Sequence, residues 1–359
     1  MNGSGGIVDW RLAEQTAVAV AGSPEPGRRS YGRAQVAAAC ENAIVVAAAY
    51  SRMAIPDRPP PAELVDRRQW SRAALGTLGE ASAPLEARLA AGLSLPGPLG
   101  GAVRRVIGAG AGAEAGFAVG FAARRVLGQY DIALIGAERP ARLLFVGPNL
   151  DRARAELDAD PELFLRWVAL HEVTHVLQFG AVPWLAQHLR ELVGRLIDGA
   201  AGGIDPGQVA ELAKRFLRDP RQVVRTILRG ELAHALADAP TRATLDRVQA
   251  TMTVIEGHAE HVMDVCAADD PRLAELRIRL ERRRSSRGGL VEAIARLLGL
   301  DLKLRQYELG KRFWDEVVDE RGEAALEQVW ASVASLPDLA ELESPGRWLE
   351  RVAAPLATG

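Results

Sequence analysis

DPELFLRWVALHEVTHVLQFG, residues 160–180, is the segment around which the rest of the chain is organised. Asp160 is a favourable N-cap residue, Pro161 suits the first helical position because its missing N–H is not needed there, and Gly180 is typical of the position after a helix end. Apolar residues recur between these ends at helical spacing. The stretch therefore predicts one helix whose polar motif lies against a core.

Within that helix, His171 and His175 are four residues apart, which is about one turn. Both imidazoles leave the same face and can bind one Zn²⁺. Glu172 lies on a neighbouring strip, where its carboxylate can reach a water on the metal rather than the metal itself. This HExxH motif predicts a zinc-dependent hydrolase, foremost a metallopeptidase, in which zinc-bound water activated by Glu172 attacks an amide carbonyl. A peptide or protein is the expected substrate.

A catalytic zinc usually has three protein ligands and one position left for water, so one more ligand is needed. EGHAEH, residues 256–261, lies on a long helix predicted over 245–266. Glu256 is the predicted third ligand, because its Glu-Gly-x-Ala context on a separate helix resembles the third-ligand helix of zincins that use a glutamate. Gly257 is expected to let this helix approach the histidine helix closely. His258, Glu260 and His261 are competing candidates.

Supporting roles are open to several further side chains. His258 is a candidate for a hydrogen bond to a ligand carboxylate or to the developing oxyanion, and Glu260 or Asp264 for orienting a metal-bound histidine. Tyr130 and Tyr307 are further candidates for oxyanion donors.

Composition predicts an ordinary globular protein that is mainly α-helical. The chain has 359 residues, 48% hydrophobic and 25% charged, and a net charge of −2. The length predicts one domain over 1–359, zincin-like because its HExxH helix resembles those of zincins, or two lobes around a cleft, about 1–180 with the histidine motif and about 181–359 with the third-ligand helix. The basic run at 277–287 lacks aromatic residues, so no nucleic-acid partner is expected.

Location and redox state follow from simple patterns. The first residues show no basic region followed by an apolar one, so the protein is expected to be cytoplasmic. Two cysteines are too few for a disulfide framework, and Cys266 lies on an apolar helical stripe that predicts a buried thiol.

Two segments before the metal helix are distinctive. The apolar runs 131–135 and 142–146 are separated by GAERPA, which predicts a β-hairpin, either structural or an edge strand that binds extended substrate. In 103–123, four glycines repeat every four residues, at 108, 112, 116 and 120. Glu114 at mid-span argues against a membrane helix, so we expect a buried helix packed closely on another and no stable membrane insertion.

Two other functions compete with the hydrolase. Glu172 with His175, and Glu231 with His234, form Glu-x-x-His pairs like those of carboxylate-bridged iron or manganese oxidase-type proteins. That scheme leaves His171 without a role. The third candidate is a catalytically silent binding protein that keeps a zincin fold.

Several segments together resemble one family of bacterial zincin-like zinc metallohydrolases or metalloproteases, often labelled as associated with biosynthesis of a deazaflavin coenzyme. They are VDW at 8–10, VDR at 65–67 with Trp70, LGQYD at 127–131, LLFVGPNL at 143–150, HEVTHVLQF at 171–179, PWL at 183–185, EGHAEHVMD at 256–264 and LDLKLRQYELGKRF at 300–313. The resemblance implies zinc on His171 and His175, Glu172 as base and Glu256 as third ligand, a gluzincin-like set. It supplies no substrate.

Overall fold

The protein is mainly α-helical with one small sheet, as predicted, in a computed structural model that describes residues 7–22, 30–92, 98–132, 139–202, 238–268, 270–285 and 300–353. It divides into two compact units, Met1–Ala43 with Arg58–Glu172, and Ile44–Asp57 with Val173–Gly359. The expectation of two lobes around a cleft stays a prediction.

The first unit contains the sheet and most of the amino-terminal helices. Its elements are α1 (Trp10–Ala21), the first part of α2 (Arg33–Ser51), β1 (Ala62–Val65), α3 (Arg67–Gly92), α4 (Pro98–Ala123), β2 (Gly128–Asp131), β3 (Arg142–Val146), α5 (Gly147–Leu157) and the first part of α6 (Pro161–Ala181). Helices α2 and α6 continue into the second unit.

The sheet has the strand order β1-β3-β2, with β1 parallel and β2 antiparallel to β3. The predicted hairpin is confirmed for its second strand. Its first strand begins at Gly128 rather than at 131, and residues 133–138 lie outside the described part. Strand β1 was not expected from sequence. Among the described strands, β2 is an edge.

The glycine repeat of α4 packs on the backbone of α1, which confirms the predicted close helix contact. A Cβ at Gly108 or Gly112 would lie 2.2 or 2.3 Å from the carbonyl oxygens of Ile7 and Asp9. Phe117 on the same helix is 41% exposed, so α4 is not buried on all sides, although a buried helix was expected. None of the described helices is long and apolar enough to cross a membrane.

The second unit consists of helices in its described part. After the remainder of α2 and α6 these are α7 (Leu185–Gly202), α8 (Ala239–Ala267), α9 (Pro271–Ser285), α10 (Leu300–Arg321), α11 (Ala324–Val329), a 3-10 turn (Val333–Ser335), α12 (Leu339–Glu343) and α13 (Pro345–Ala353).

Helices α8 and α10 touch through two glycines. A Cβ on Gly257 would lie 2.2 Å from the carbonyl carbon of Gly310, and a Cβ on Gly310 would lie 2.1 Å from the carbonyl oxygen of Thr253. Beside this contact, the indole N–H of Trp314 donates to the carbonyl of Val254 at 2.9 Å. The expectation that Gly257 serves the approach to the histidine helix is therefore wrong, because the backbone it meets is that of α10.

Helix α6 begins as predicted and ends differently. The Asp160 carboxylate accepts a hydrogen bond from the Leu163 N–H at 2.9 Å, which is an N-cap contact. Gly180 is still helical and is not among the glycines with positive φ, so it does not end the helix. Its small size serves packing, since a Cβ there would lie 2.3 Å from Cγ of Pro56.

Candidate metal centre

The metal-binding motif lies on α6, and the second polar cluster lies on α8. His175 is 9% exposed and Glu256 7%, while His171 is half-buried. His171, His175 and Glu256 each offer one ligand atom, and these atoms all lie within 4.8 Å of one another. Nε2 of His175 is 3.6 Å from Oε2 of Glu256. Two imidazoles one turn apart thus share a small volume with one carboxylate.

This group has the chemistry and spacing of a zinc site. Ligands about 2.1 Å from a tetrahedral zinc lie roughly 3.4 Å from one another. The separation of 3.6 Å between His175 and Glu256 is close to that value, and no two of the three ligand atoms are more than 4.8 Å apart. Two imidazoles and a carboxylate, with a fourth position for water, form a common catalytic zinc set. The residues present therefore fit the ion.

Glu172 lies against the sheet of the first unit. A Cβ on Gly128 would be 2.6 Å from both Cγ and Oε1 of Glu172, so only a glycine leaves room for this carboxylate. Glu172 is 5% exposed. The buried carboxylate of Glu172, which follows the first histidine of the motif on α6, thus lies against Gly128 of β2.

The backbone of β2 alternates in direction beside that carboxylate. The carbonyl of Leu127 accepts a hydrogen bond from the Val146 N–H at 2.9 Å and so points towards β3. Successive residues of a strand direct their N–H and C=O to opposite edges. The backbone groups of Gly128 therefore point to the outer edge of the sheet.

A neutral thiol lies in the same neighbourhood. Burial, and after it the negative charges of Glu172 and Glu41, raise the pKa of Cys40 to about 12. Cys40 is buried while Cys266 is partly exposed, with its sulfur 4.0 Å from the carbonyl of Val46. The expectation of a buried Cys266 thiol is wrong, since the helix side that carries it is only partly covered.

His258 lies deep in the second unit rather than on an open surface. Its ring has no exposed area, its Nδ1 is 3.0 Å from the side-chain nitrogen of Gln178, and its ring centroid is 4.7 Å from that of Trp314 and 5.6 Å from that of Trp330. Burial lowers the pKa of His258 well below its usual value, so the ring is neutral. A ring so enclosed is placed to support another residue rather than to meet a substrate.

His261 and Asp264 have other partners. The two ring nitrogens of His261 lie 2.7 Å from Oδ1 of Asp315 and 2.6 Å from the hydroxyl of Tyr50. Asp264 forms ion pairs with Lys311, at 2.9 Å, and with Arg277. The expected role of Asp264 in orienting a metal-bound histidine is therefore not supported.

The remaining candidates lie in different places. Glu260 is buried on α8, four residues from Glu256. Tyr130 is half-buried on β2, and burial raises the pKa of its hydroxyl. The side chain of Tyr307 lies outside the described residues. So do Glu231 and His234, the second Glu-x-x-His pair that an iron or manganese centre would need.

Sequence reasoning missed Gln178. Its Oε1 is 2.8 Å from Nδ1 of His175, and its Nε2 is 2.8 Å from the carbonyl oxygen of Ile255. Gln178 follows His175 by three residues, which places both on one helix face. That spacing could have indicated a contact between Gln178 and His175. The other partner, Ile255 on α8, lies 77 residues away and leaves no local pattern in the sequence.

Comparison with known proteins agrees with this geometry. The model of the zincin-like metallopeptidase family matches residues 8–349. A crystal structure from Chloroflexus aurantiacus, described as that of a candidate hydrolase with a novel fold, is 27% identical with a TM-score of 0.68, covering 97% of this chain and 99% of that chain. No curated protein matches the chain. The association with a deazaflavin coenzyme stays a prediction. The match over nearly the whole length shows that this chain belongs to the zincin-like metallopeptidase family.

Proposed function

We propose that the protein is a zinc-dependent metallopeptidase. The observation that carries the proposal is the grouping of His171, His175 and Glu256, whose ligand atoms lie within 4.8 Å of one another. The two histidines are on α6, the helix that also holds Glu172, and Glu256 is on α8. Membership of the zincin-like family and the likeness to a candidate hydrolase support hydrolysis as the class of reaction.

Each side chain has a separate task in this proposal. When bound, zinc supplies Lewis acidity, which lowers the pKa of a coordinated water to about 7 and polarises a carbonyl. Glu172 takes the proton of the attacking water and passes it to the leaving amine. His171, His175 and Glu256 hold the ion through two neutral imidazoles and one carboxylate.

Tyr130 is the oxyanion donor that the local geometry favours. The missing Cβ of Gly128 points at Glu172, and side chains two residues apart on a strand leave the same face. The side chain of Tyr130 therefore leaves β2 on the face that carries Glu172. Burial raises the pKa of its hydroxyl, which keeps it protonated and able to donate.

Strand β2 also offers a way to bind an extended peptide. It is an edge strand among the described residues, and the backbone groups of Gly128 point outward. A peptide that pairs with this edge would gain main-chain hydrogen bonds next to the proposed base. This favours a peptide or protein substrate over a small ester or a nucleic acid.

Glu172→Gln tests the assignment of the base. The amide has nearly the same shape but cannot take a proton, so we expect peptide turnover to fall by about 10²–10⁴-fold with the zinc content unchanged. Turnover is measured by mass spectrometry on a mixed peptide library, and zinc by elemental analysis.

The matched control is Glu162→Gln, an exposed glutamate on the same helix, which should leave turnover unchanged. Full turnover in Glu172→Gln would refute the assigned base. A zinc-loaded native protein that cleaves no peptide in the library would refute the peptidase.

A further inference from the structure

We propose that Gln178 and His258 are positioning residues that fix the ring orientation and tautomer of His175. The proposal rests on the proposed metal centre and not on peptide cleavage. It assigns a task to two side chains that have no exposed area.

The orientation of the Gln178 amide follows from its partners. The carbonyl oxygen of Ile255 only accepts hydrogen bonds, so the atom 2.8 Å from it must be the amide nitrogen. The amide oxygen then faces Nδ1 of His175 at 2.8 Å. Because that oxygen also only accepts, Nδ1 of His175 must carry the ring proton. This leaves the lone pair on Nε2, the atom 3.6 Å from Glu256, where a metal needs it.

His258 holds the amide from the other side. The second amide hydrogen of Gln178 points at Nδ1 of His258, 3.0 Å away, so this Nδ1 accepts and the ring proton is on Nε2. Nε2 of His258 is buried without a hydrogen-bond partner in the described part of the chain, beside the rings of Trp314 and Trp330. An N–H against aromatic rings is a weak but favourable contact.

A reversed amide would be opposed by the Ile255 carbonyl, because two oxygens that only accept hydrogen bonds would then face each other. Its NH₂ group would also demand an acceptor at Nδ1 of His175, which would move the proton of His175 to Nε2 and block the metal-binding atom. The carbonyl of Ile255 therefore determines, through Gln178, which nitrogen of His175 can bind a metal, and Nδ1 of His258 accepts the second amide hydrogen.

The burial of this hydrogen-bond network favours a role in orienting His175 over a role in packing alone. Burying an amide and an imidazole among tryptophans costs free energy unless their polar atoms are satisfied, and apolar side chains would fill the same space without that cost. Hydrogen-bond partners of metal-bound histidines typically change metal affinity by about 10–100-fold when they are removed. A packing role would change stability alone.

The experiment measures zinc affinity and the His175 tautomer separately. Zinc dissociation constants are obtained by competition with a chromophoric chelator for the native protein, Gln178→Leu and His258→Gln. ¹⁵N NMR of the metal-free, histidine-labelled native protein reports the tautomer, with His175→Gln used to assign the signal. We expect the Nδ1–H form at His175, and zinc binding about 10–100-fold weaker in Gln178→Leu.

His188→Gln is the matched control, because His188 is also buried in the second unit and contacts Thr251 at 3.4 Å. It should lower thermal stability without changing zinc affinity. The proposal is overturned if Gln178→Leu and His258→Gln bind zinc as the native protein does, or if native His175 is the Nε2–H form. The NMR result decides even if Gln178→Leu does not fold. A native protein that binds zinc and shows the Nδ1–H form, but cleaves no peptide, would refute the peptidase alone.

Discussion

Gly257→Ala should destabilise the protein although alanine is the better helix former. The added Cβ would lie 2.2 Å from the carbonyl carbon of Gly310, 2.4 Å from its Cα and 2.6 Å from its oxygen. Carbon atoms in contact are normally about 3.5–4.0 Å apart, so α8 and α10 would have to separate by more than 1 Å. The new Cβ is fixed to the backbone of α8 and the atoms that it meets are backbone atoms of Gly310, so neither can rotate away.

The size of the effect follows from two opposing terms. Overpacking of this kind costs about 1–3 kcal/mol, and a clash with backbone belongs at the upper end. Replacing a helical glycine with alanine stabilises the folded state by about 0.5–1 kcal/mol. The net loss of unfolding free energy is therefore about 2 kcal/mol, or about 4–8 °C in melting temperature for a cooperative body of 150–250 residues.

The assay is a comparison with Gly194→Ala on α7, where an added Cβ meets nothing within 4 Å. Chemical and thermal unfolding of both variants is followed by circular dichroism. We expect the free energy of unfolding to fall in Gly257→Ala and to rise by about 0.5–1 kcal/mol in Gly194→Ala. Equal stabilisation in the two variants would refute the close contact of α8 with α10.

Two further predictions concern the surroundings of Glu172. Gly128→Ala places a Cβ 2.6 Å from the Glu172 carboxylate, so we expect that carboxylate to turn away. Peptide turnover should then fall at least about 10-fold with zinc content unchanged. Unaltered turnover would contradict the placement of Glu172 against Gly128. The pKa of Cys40 is about 12, so at pH 8 only about one thiol in ten thousand is ionised, whereas Cys266 is partly exposed. Thiol titration should find one reactive cysteine in the native protein and two after denaturation. The rate at which Cys40 reacts should keep rising with pH up to pH 11. Two fast-reacting thiols in the native state would contradict this prediction.

Much of the site could be predicted because its signals are local. The N-cap at Asp160 and the four-residue spacing of His171 and His175 are properties of one helix. Glu256 was harder, since its place beside the histidines depends on tertiary packing, but the likeness of its Glu-Gly-x-Ala context to the third-ligand helix of zincins favoured it over its neighbours. The glycine repeat of α4 likewise indicated a close helix contact, although not its partner.

The errors concern contacts that no local pattern encodes. Gly180 and Gly257 both fit simple rules for glycine, yet the structure uses them against Pro56 and α10. The apolar stripe that carries Cys266 indicated burial, but the residue is only partly buried. Gln178 was overlooked because its role depends on Ile255 and His258, which lie 77 and 80 residues away.

The contact of α1 with α4 makes the two helices unequally tolerant of mutation. The carbonyl oxygens of Ile7, Asp9, Ala13 and Ala17 all lie within 2.6 Å of where a Cβ on the facing glycine would be. A carbonyl is the same in every amino acid, so α1 and residues 7–9 before it contribute atoms that a substitution does not remove. The glycines of α4 contribute the absence of a side chain, which any substitution does remove. Substitutions are therefore least tolerated at every fourth residue of α4, whereas on α1 the restriction falls on its fully buried alanines, Ala13, Ala17 and Ala21.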